Sequence, residues 1–249
     1  MSGGRSAILT YHSLDDSGSV ISTPPRQFQR QMEFLAASGI PVLPLDQALR
    51  RPGSLAITFD DGFRNVLDHA LPALERHRFP ATIFVVSDYC GRGNNWPTQS
   101  RGIPSLPLMR WAELAGLPAA ISVGAHTATH PNLTLLPASE CEREMSECQT
   151  RIEQSLGRPV RWLAYPYGTS SPAVRSLAGQ HFDLAVGTSL QFLPVQFNPM
   201  DLPRIDTYYL RGRFPLERLF TGPGRLYLGA RALLREARSS VRRRQGPHY

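Results

Sequence analysis

Short runs of apolar residues recur along the chain, and segments of helical character separate them. In SAILTYH, SLAITF and PATIFVVSD the apolar side chains follow one another without the alternation of a half-exposed strand. Strands that are buried on both faces have this pattern. Seven segments are predicted to contain strands, some of them short: 6–12, 54–59, 80–88, 119–127, 160–168, 182–188 and 201–207.

Helices are predicted between these strands, because the apolar residues there recur every three or four positions. Phe28, Met32 and Leu35 form such a stripe after the first strand. Helices that separate buried strands are typical of an α/β fold with a parallel sheet, and about seven strand–helix units favour closure of that sheet into a barrel. Further helices are predicted at 65–79, 109–116, 139–156 and 171–181.

The positive charge of the chain is concentrated after residue 210. Residues 211–249 hold ten arginines against Glu217 and Glu236, a net charge of +8, which leaves −1 for residues 1–210 of a chain whose total is +7. We therefore predict a barrel over 1–210 and a basic, partly helical C-terminal extension over 211–249. The segment RLYLGARALLREARSSVRRR predicts an amphipathic helix, which would either lie on an anionic membrane surface or be an ordinary solvated helix.

Several functions are excluded or disfavoured by composition. All 27 basic residues are arginine, so chemistry that needs a lysine, such as Schiff-base formation, is excluded. Aromatic residues are sparse in the basic segment, which argues against nucleic acid as a partner. The start of the chain has no apolar run long enough for a secretory signal, and no run approaches about 18 residues. We therefore predict a cytoplasmic location, at the inner face of the membrane if the substrate is lipid-linked.

Titratable side chains follow two of the predicted strands. Asp60 and Asp61 come directly after the second strand, where burial of either carboxylate is costly without a partner. His126 and His130 follow the fourth strand at a spacing of four, which on a helical turn would bring both imidazoles to one side. In parallel barrels the chemistry lies at the carboxyl ends of strands. Two histidines and one aspartate would form an open metal site, with the other aspartate beside it to handle a proton.

A third feature follows the strand at 160–168. In AYPYG, Pro166 and Gly168 predict a turn that can aim a backbone N–H into the mouth of the barrel, where a developing oxyanion needs a donor. The alternative interpretation of all three features is structural. In that case the aspartate pair caps the next helix, the two histidines are unrelated polar residues of a loop, and the turn has no chemical role.

TFDDG, HTATH and YPYG, in this order and at these separations, resemble the motifs of the polysaccharide deacetylases of carbohydrate esterase family 4. The resemblance spans roughly residues 6–207. It implies an α/β fold, a distorted (β/α) barrel of about seven parallel strands, and the metal-dependent removal of acetyl groups from N-acetylated sugars. The implied cofactor is a divalent metal ion, with zinc as the first choice and cobalt, nickel or iron as alternatives.

The resemblance also implies a role for each matching residue. Asp61, His126 and His130 would hold the metal, and Asp60 would be the general base that takes a proton from the attacking water. The backbone N–H of Tyr167 would share the oxyanion with the metal.

Two positions depart from the family pattern. The arginine that the family usually places two residues before the proline of YPYG is Ala164 here, and we expect Arg204 or Asp206 to replace it beside Asp60. The late Leu-x-His that supplies the general acid is absent. His12 follows the first strand and is similar to the early histidine of the exopolysaccharide deacetylase branch, so we predict it as the acid.

The predicted function is therefore removal of N-acetyl groups from the amino sugars of a glycan or glycan precursor, either at the cell surface or lipid-linked. The predicted partner is an N-acetylated saccharide, and the basic extension would add a peripheral contact with an anionic membrane. Two alternatives remain. One is a relative that binds carbohydrate with little turnover, and the other is a membrane or nucleic-acid binder that works through its basic extension.

Overall fold

The computed structural model describes residues 5–211 and 214–244, with side chains in the last helix described as far as residue 234 apart from residue 225. Seven strands form one sheet in the order β6-β5-β4-β3-β2-β1-β7, and every pairing is parallel. The strands are β1 Ala7–Tyr11, β2 Leu55–Phe59, β3 Ala81–Val85, β4 Ile121–Ala125, β5 Trp162–Ala164, β6 Leu184–Val186 and β7 Ile205–Asp206.

Helices occur at each position that the apolar periodicity predicts, and two further short helices, Leu45–Ala48 and Leu216–Leu219, were not predicted. One difference concerns residues 65–79, which form two helices that meet at Ala70, because Pro72 cannot donate the backbone hydrogen bond that a continuous helix needs there. The α-helices are α1 Pro25–Ser38, α2 Leu45–Ala48, α3 Asn65–His69, α4 Leu71–His77, α5 Trp111–Ala115, α6 Ala138–Leu156, α7 Pro172–His181, α8 Leu216–Leu219 and α9 Gly222–Arg244.

The architecture is a curled half-barrel, which confirms the predicted distorted (β/α) barrel. The outer strands β6 and β7 do not pair with each other within the described sheet. An isolated parallel bridge between Val186 and Leu202, just before β7, is the contact that draws the two edges together. All residues of β1, β2 and β3 are buried, which is why their sequences are apolar without alternation.

The segment that follows residue 210 packs on the barrel where it begins. Leu216, Leu219 and Leu228 are buried in the main hydrophobic core. The predicted amphipathic helix is present as α9. The division of the chain at residue 210 stays a prediction. Among the described helices, none combines the length and the apolar character that crossing a bilayer requires.

Candidate active site

Three side chains that the sequence predicts as metal ligands meet at the carboxyl ends of β2 and β4. Asp61 Oδ1 lies 3.4 Å from His126 Nε2 and 3.5 Å from His130 Nε2. The ligand atoms all lie within 4.8 Å of one another, and each of the three residues is buried. In the part of the chain that the structure describes, this is the one cluster of histidine, cysteine or acidic residues with such geometry.

The orientation of His126 and the neutral state of His130 suit metal binding. His126 Nδ1 lies 2.7 Å from the carbonyl oxygen of Ala164. A carbonyl oxygen can only accept, so Nδ1 carries a proton and Nε2 is the atom that faces Asp61, an arrangement typical of metal-ligating histidines. Burial alone would lower the pKa of His126, but the hydrogen bond to Asp61 and the charge of Asp60 outweigh it and hold that pKa above its usual value. Burial lowers the pKa of His130 to about 3, so this imidazole is neutral at pH 7. Two imidazoles and a carboxylate are a donor set that fits a divalent transition metal.

The backbone around the site is unusual. Five described residues other than glycine have positive φ, and four of them belong to the site: Asp61 (68°), Thr127 (67°), His130 (63°) and Tyr167 (59°). The fifth, Arg78, ends α4. A left-handed conformation at such a residue costs on the order of 1–3 kcal/mol, and it persists only where the surrounding structure enforces it. The ligand-bearing loops are therefore held in place by their neighbours.

The loop that bears both histidines is not the helical turn that their spacing suggests. Residues 126–130 carry two left-handed residues and no regular structure, so that prediction is wrong. The Glu144 side chain on α6 fixes the loop instead, because it accepts hydrogen bonds from Thr129 N (2.8 Å) and Thr129 Oγ1 (2.7 Å). His130 N in turn donates to Thr127 Oγ1.

Arg204 reaches Asp60 from the start of β7. Its Nη1 and Nη2 each lie 2.6 Å from one oxygen of the Asp60 carboxylate, and neither residue has more than 2% of its surface exposed. Burial alone would raise the pKa of Asp60, but the guanidinium outweighs it and holds that pKa well below its usual range. Of the two candidates for the missing arginine, the structure brings Arg204 to Asp60. The Asp206 carboxylate accepts from Tyr208 N.

Further bonds fix the guanidinium of Arg204. Its Nε donates to the carbonyl oxygen of Gly187 at 2.8 Å, and Nη1 also donates to Thr58 Oγ1 at 3.1 Å. The carboxylate of Asp60 is therefore both ionised and oriented.

His12 approaches the same carboxylate from the end of β1. His12 Nε2 lies 3.9 Å from Asp60 Oδ2, and 19% of its side chain is exposed. This distance is too long for a hydrogen bond but short enough for the two groups to face one reacting molecule. We call six side chains the centre of the site: His12, Asp60, Asp61, His126, His130 and Arg204. His12 is the most exposed of them.

A polar cluster after β1 holds the loop that carries His12. The Asp15 carboxylate accepts hydrogen bonds from Ser13 Oγ and Ser22 Oγ. Asn65 completes the cluster, because its amide donates to Ser13 Oγ and its oxygen accepts from a backbone N–H of the loop. The motifs gave no signal for these residues, since short polar residues in a loop are common.

One cleft of about 430 Å³ is lined by His12, Asp60, Asp61, His126 and His130. Trp96 packs on His130 with 4.3 Å between the ring centroids and is only 2% exposed, so it supports the imidazole rather than offering a free face. Tyr167 lines the cleft just after β5, and the role of its backbone N–H stays a prediction. Tyr208 and Tyr209 also line it, and the sequence interpretation missed them. They follow β7, so the strand-end rule that found the aspartates would have found them too.

Comparison with protein families shows to which family the chain belongs. The model of the family described as "Polysaccharide deacetylase" matches residues 49–182, more than half of the chain. The chain belongs to the polysaccharide deacetylase family. These enzymes are hydrolases of carbohydrate esterase family 4, which depend on a metal ion, and the matched segment contains Asp60, Asp61, His126 and His130.

Relatives and solved structures agree with this membership. The chain is 26% identical over 207 residues to the poly-beta-1,6-N-acetyl-D-glucosamine N-deacetylase of Staphylococcus aureus, covering 74% of the chain and 67% of that protein. It is 31% identical over 123 residues to the chitooligosaccharide deacetylase of Sinorhizobium fredii, covering 49% and 50%. The chain spans about half the length of several curated relatives, from 44% to 56%.

The fold is that of solved deacetylases. A Streptococcus pyogenes deacetylase, PplD, superimposes with a TM-score of 0.70 at 18% identity, covering 82% of this chain and 93% of that one. IcaB from Ammonifex degensii superimposes with a TM-score of 0.69 at 24% identity, covering 83% and 94%.

Two residues of the centre lie outside the segment that the polysaccharide deacetylase model matches. His12 precedes it and Arg204 follows it. At position 164, where the family pattern has an arginine, the alanine contributes its carbonyl oxygen to His126 instead. A cation still meets Asp60, but it comes from the start of β7.

Proposed function

We propose that this chain is a divalent-metal-dependent N-deacetylase that hydrolyses the acetamido group of amino sugars in a glycan or glycan precursor. One observation carries the proposal: the Asp60 carboxylate, fixed and kept ionised by Arg204, stands beside the Asp61–His126–His130 cluster in a cleft that His12 also enters.

Asp61, His126 and His130 would hold the metal. A divalent ion held there would act as a Lewis acid on the acetamide carbonyl and would make the attacking water more acidic. Zinc is the first choice because three ligands of this type leave an open position in its shell, and cobalt, nickel and iron accept the same donors.

Asp60 would take the proton of the attacking water. Its orientation by Arg204 leaves the carboxylate no freedom to turn away, and its ionised state makes it available as an acceptor at neutral pH. The Tyr167 backbone N–H would stabilise the negative charge that develops on the carbonyl oxygen.

His12 would supply the second proton. As the water oxygen bonds to the acetyl carbon, the carbon–nitrogen bond breaks and the leaving nitrogen needs a proton to become a free amine. His12 is suited to this because its Nε2 stands within reach of the cleft, on the Oδ2 side of Asp60. The products are acetate and the amino sugar.

An N-acetylated saccharide is the substrate class that the relatives' names support, since one acts on chitooligosaccharide and another on poly-beta-1,6-N-acetyl-D-glucosamine. The tyrosines at the cleft wall give it flat apolar faces of the kind that pack on sugar rings. We propose a cell-surface or lipid-linked saccharide as the biological substrate.

The test combines metal analysis with acetate release from short β-1,4- and β-1,6-linked N-acetylglucosamine oligomers. We expect one divalent ion per chain, lost in His126→Ala and retained in Asp60→Asn and His12→Ala. Turnover in the last two falls by ~10²-fold or more if each residue transfers a proton. His69→Ala, a change outside the cleft lining, serves as the histidine control.

Two results would contradict the proposal. An absence of bound metal in the wild type would remove the basis for the ligand assignment. Bound metal with no acetate release from either oligomer series would favour a relative that binds carbohydrate without turnover.

A further inference from the structure

An apolar stripe on α9 faces solvent. Leu226, Leu233 and Leu234 are 78%, 68% and 52% exposed. Residues 226, 230 and 233 are spaced so that they share one side of the helix, and residue 230 is an alanine. Leu228, by contrast, is 2% exposed and packs into the core. The helix thus has two apolar sides, one bound to the barrel and one without a described partner.

The helix is fixed beside the cleft. Tyr227 Oη donates to the carbonyl oxygen of Tyr209 at 2.6 Å, and Tyr209 lines the cleft. The Tyr227 ring stacks on Phe214, with 3.8 Å between the centroids. Arg231 Nε contacts Tyr227 Oη at 3.3 Å. Whatever binds the leucine stripe is therefore held at a set position relative to the active site.

The charge of the same segment specifies the partner. By sequence, residues 211–249 carry ten arginines and two acidic residues. A segment whose sequence combines exposed leucines with many arginines matches an anionic phospholipid surface, because leucines can enter the acyl boundary while guanidinium groups meet the phosphates. A second copy of this chain would instead place one segment with a net charge of +8 against another of the same charge, and the two would repel each other. Nucleic acid would leave exposed leucines without an apolar partner.

We propose that α9 docks this chain on an anionic phospholipid bilayer through Leu226, Leu233 and Leu234. The docked helix holds the rim of the cleft next to the membrane, where a saccharide attached to lipid would be presented. The docking itself does not depend on the proposed deacetylase activity.

The experiment is flotation of the full chain with large unilamellar vesicles, either phosphatidylcholine alone or phosphatidylcholine with 30% phosphatidylglycerol. The wild type should bind the anionic vesicles at least ~10-fold more tightly than the neutral ones, and high salt should weaken that binding. The double variant Leu226→Gln/Leu233→Gln should lose at least ~10-fold in partition, because two aliphatic side chains no longer enter the acyl boundary. Leu135→Gln/Val195→Gln, which changes two residues that are 79% and 100% exposed elsewhere, is the matched control and should bind like the wild type.

Circular dichroism and acetate release from a soluble oligomer separate docking from folding and catalysis. The spectrum and the rate of acetate release of Leu226→Gln/Leu233→Gln should equal those of the wild type. If the wild type releases no acetate, the proposed function fails, but the vesicle experiment still tests the docking. The proposal fails if the wild type does not bind anionic vesicles, or if the stripe variant binds as well as the control. It also fails if light scattering shows a dimer that only the stripe variant dissociates, since the stripe would then bind a second copy.

Discussion

Replacing Arg204 by methionine removes the cation that compensates the buried charge of Asp60. The substitution keeps most of the aliphatic volume but deletes four hydrogen bonds, two of them to the carboxylate. Asp60 is 2% exposed, so water cannot replace the lost donors without rearrangement. Breaking a buried ion pair from one side typically costs about 3–5 kcal/mol, because an uncompensated charge remains. We expect a loss of that size in the free energy of unfolding.

The assay is equilibrium unfolding in urea at pH 7, with EDTA present so that differences in metal binding do not contribute to stability. Asp60→Asn and the double variant complete a double-mutant cycle with Arg204→Met. The double variant should recover at least about 1 kcal/mol relative to the sum of the single changes, because neither partner is then left with an unpaired charge. Arg161→Met is the control, since Arg161 pairs with Asp183 at an exposed site, and such pairs contribute about 0–1 kcal/mol.

The reasoning would be refuted if the free energy of unfolding of Arg204→Met lay within about 1 kcal/mol of the wild-type value. Additive single changes in the cycle would likewise show that the two residues are not energetically coupled. The free energy of unfolding should fall with urea concentration at the same slope in all variants. A different slope would show that the substitution changes the compactness of the unfolded or native state, so the free energies could not be compared directly.

Three further predictions concern the support of the site. Glu144→Ala should weaken metal binding by ~10-fold or more, as judged by competition with a chelator, because the loop that bears His130 loses the two hydrogen bonds that Glu144 accepts from Thr129; unchanged affinity would contradict this role. Gly168→Ala should destabilise the fold, because its φ of 65° is strained for alanine and the added Cβ would lie 1.9 Å from Thr188 Oγ1; thermal melting at or above the wild-type temperature would count against it. Asp15 has a lowered pKa, since its serine hydrogen bonds outweigh the effect of burial, so its stabilisation is present above its unfolded pKa of about 3.9 and is lost as pH falls through the lower folded value. The stability gap between wild type and Asp15→Asn should therefore be constant near pH 7 and shrink below pH 4, and a gap that widens on acidification would show the opposite linkage.

Much of the site could be predicted because it depends on local patterns. The strand that ends in Asp60 and Asp61 is apolar along its whole length, and the carboxyl ends of parallel strands meet at one edge. The spacing of His126 and His130 correctly predicted that the two imidazoles lie together. It wrongly predicted that a helical turn brings them together. The left-handed conformations of Thr127 and His130 were not predictable, because residues other than glycine adopt this conformation uncommonly, even though histidine is enriched among those that do.

The partner of Asp60 was left open between two residues for a physical reason. Arg204 stands 144 positions away along the chain and at the start of its strand, so neither sequence proximity nor the strand-end rule selects it. Only the curl of the sheet, which brings β7 to the other side of β1, fixes the contact. Location in the cell depends on no folded contact and stays a prediction.

The long separation between Asp60 and Arg204 also sets an order of assembly. A chain that has been synthesised through β4 and the loop after it already contains all three side chains of the buried Asp–His–His cluster. It does not yet contain the arginine that keeps the neighbouring aspartate ionised and aligned. The proposed ligand cluster and the proposed base are therefore synthesised at different times, and we expect the proposed hydrolysis to require that the last strand has joined the sheet.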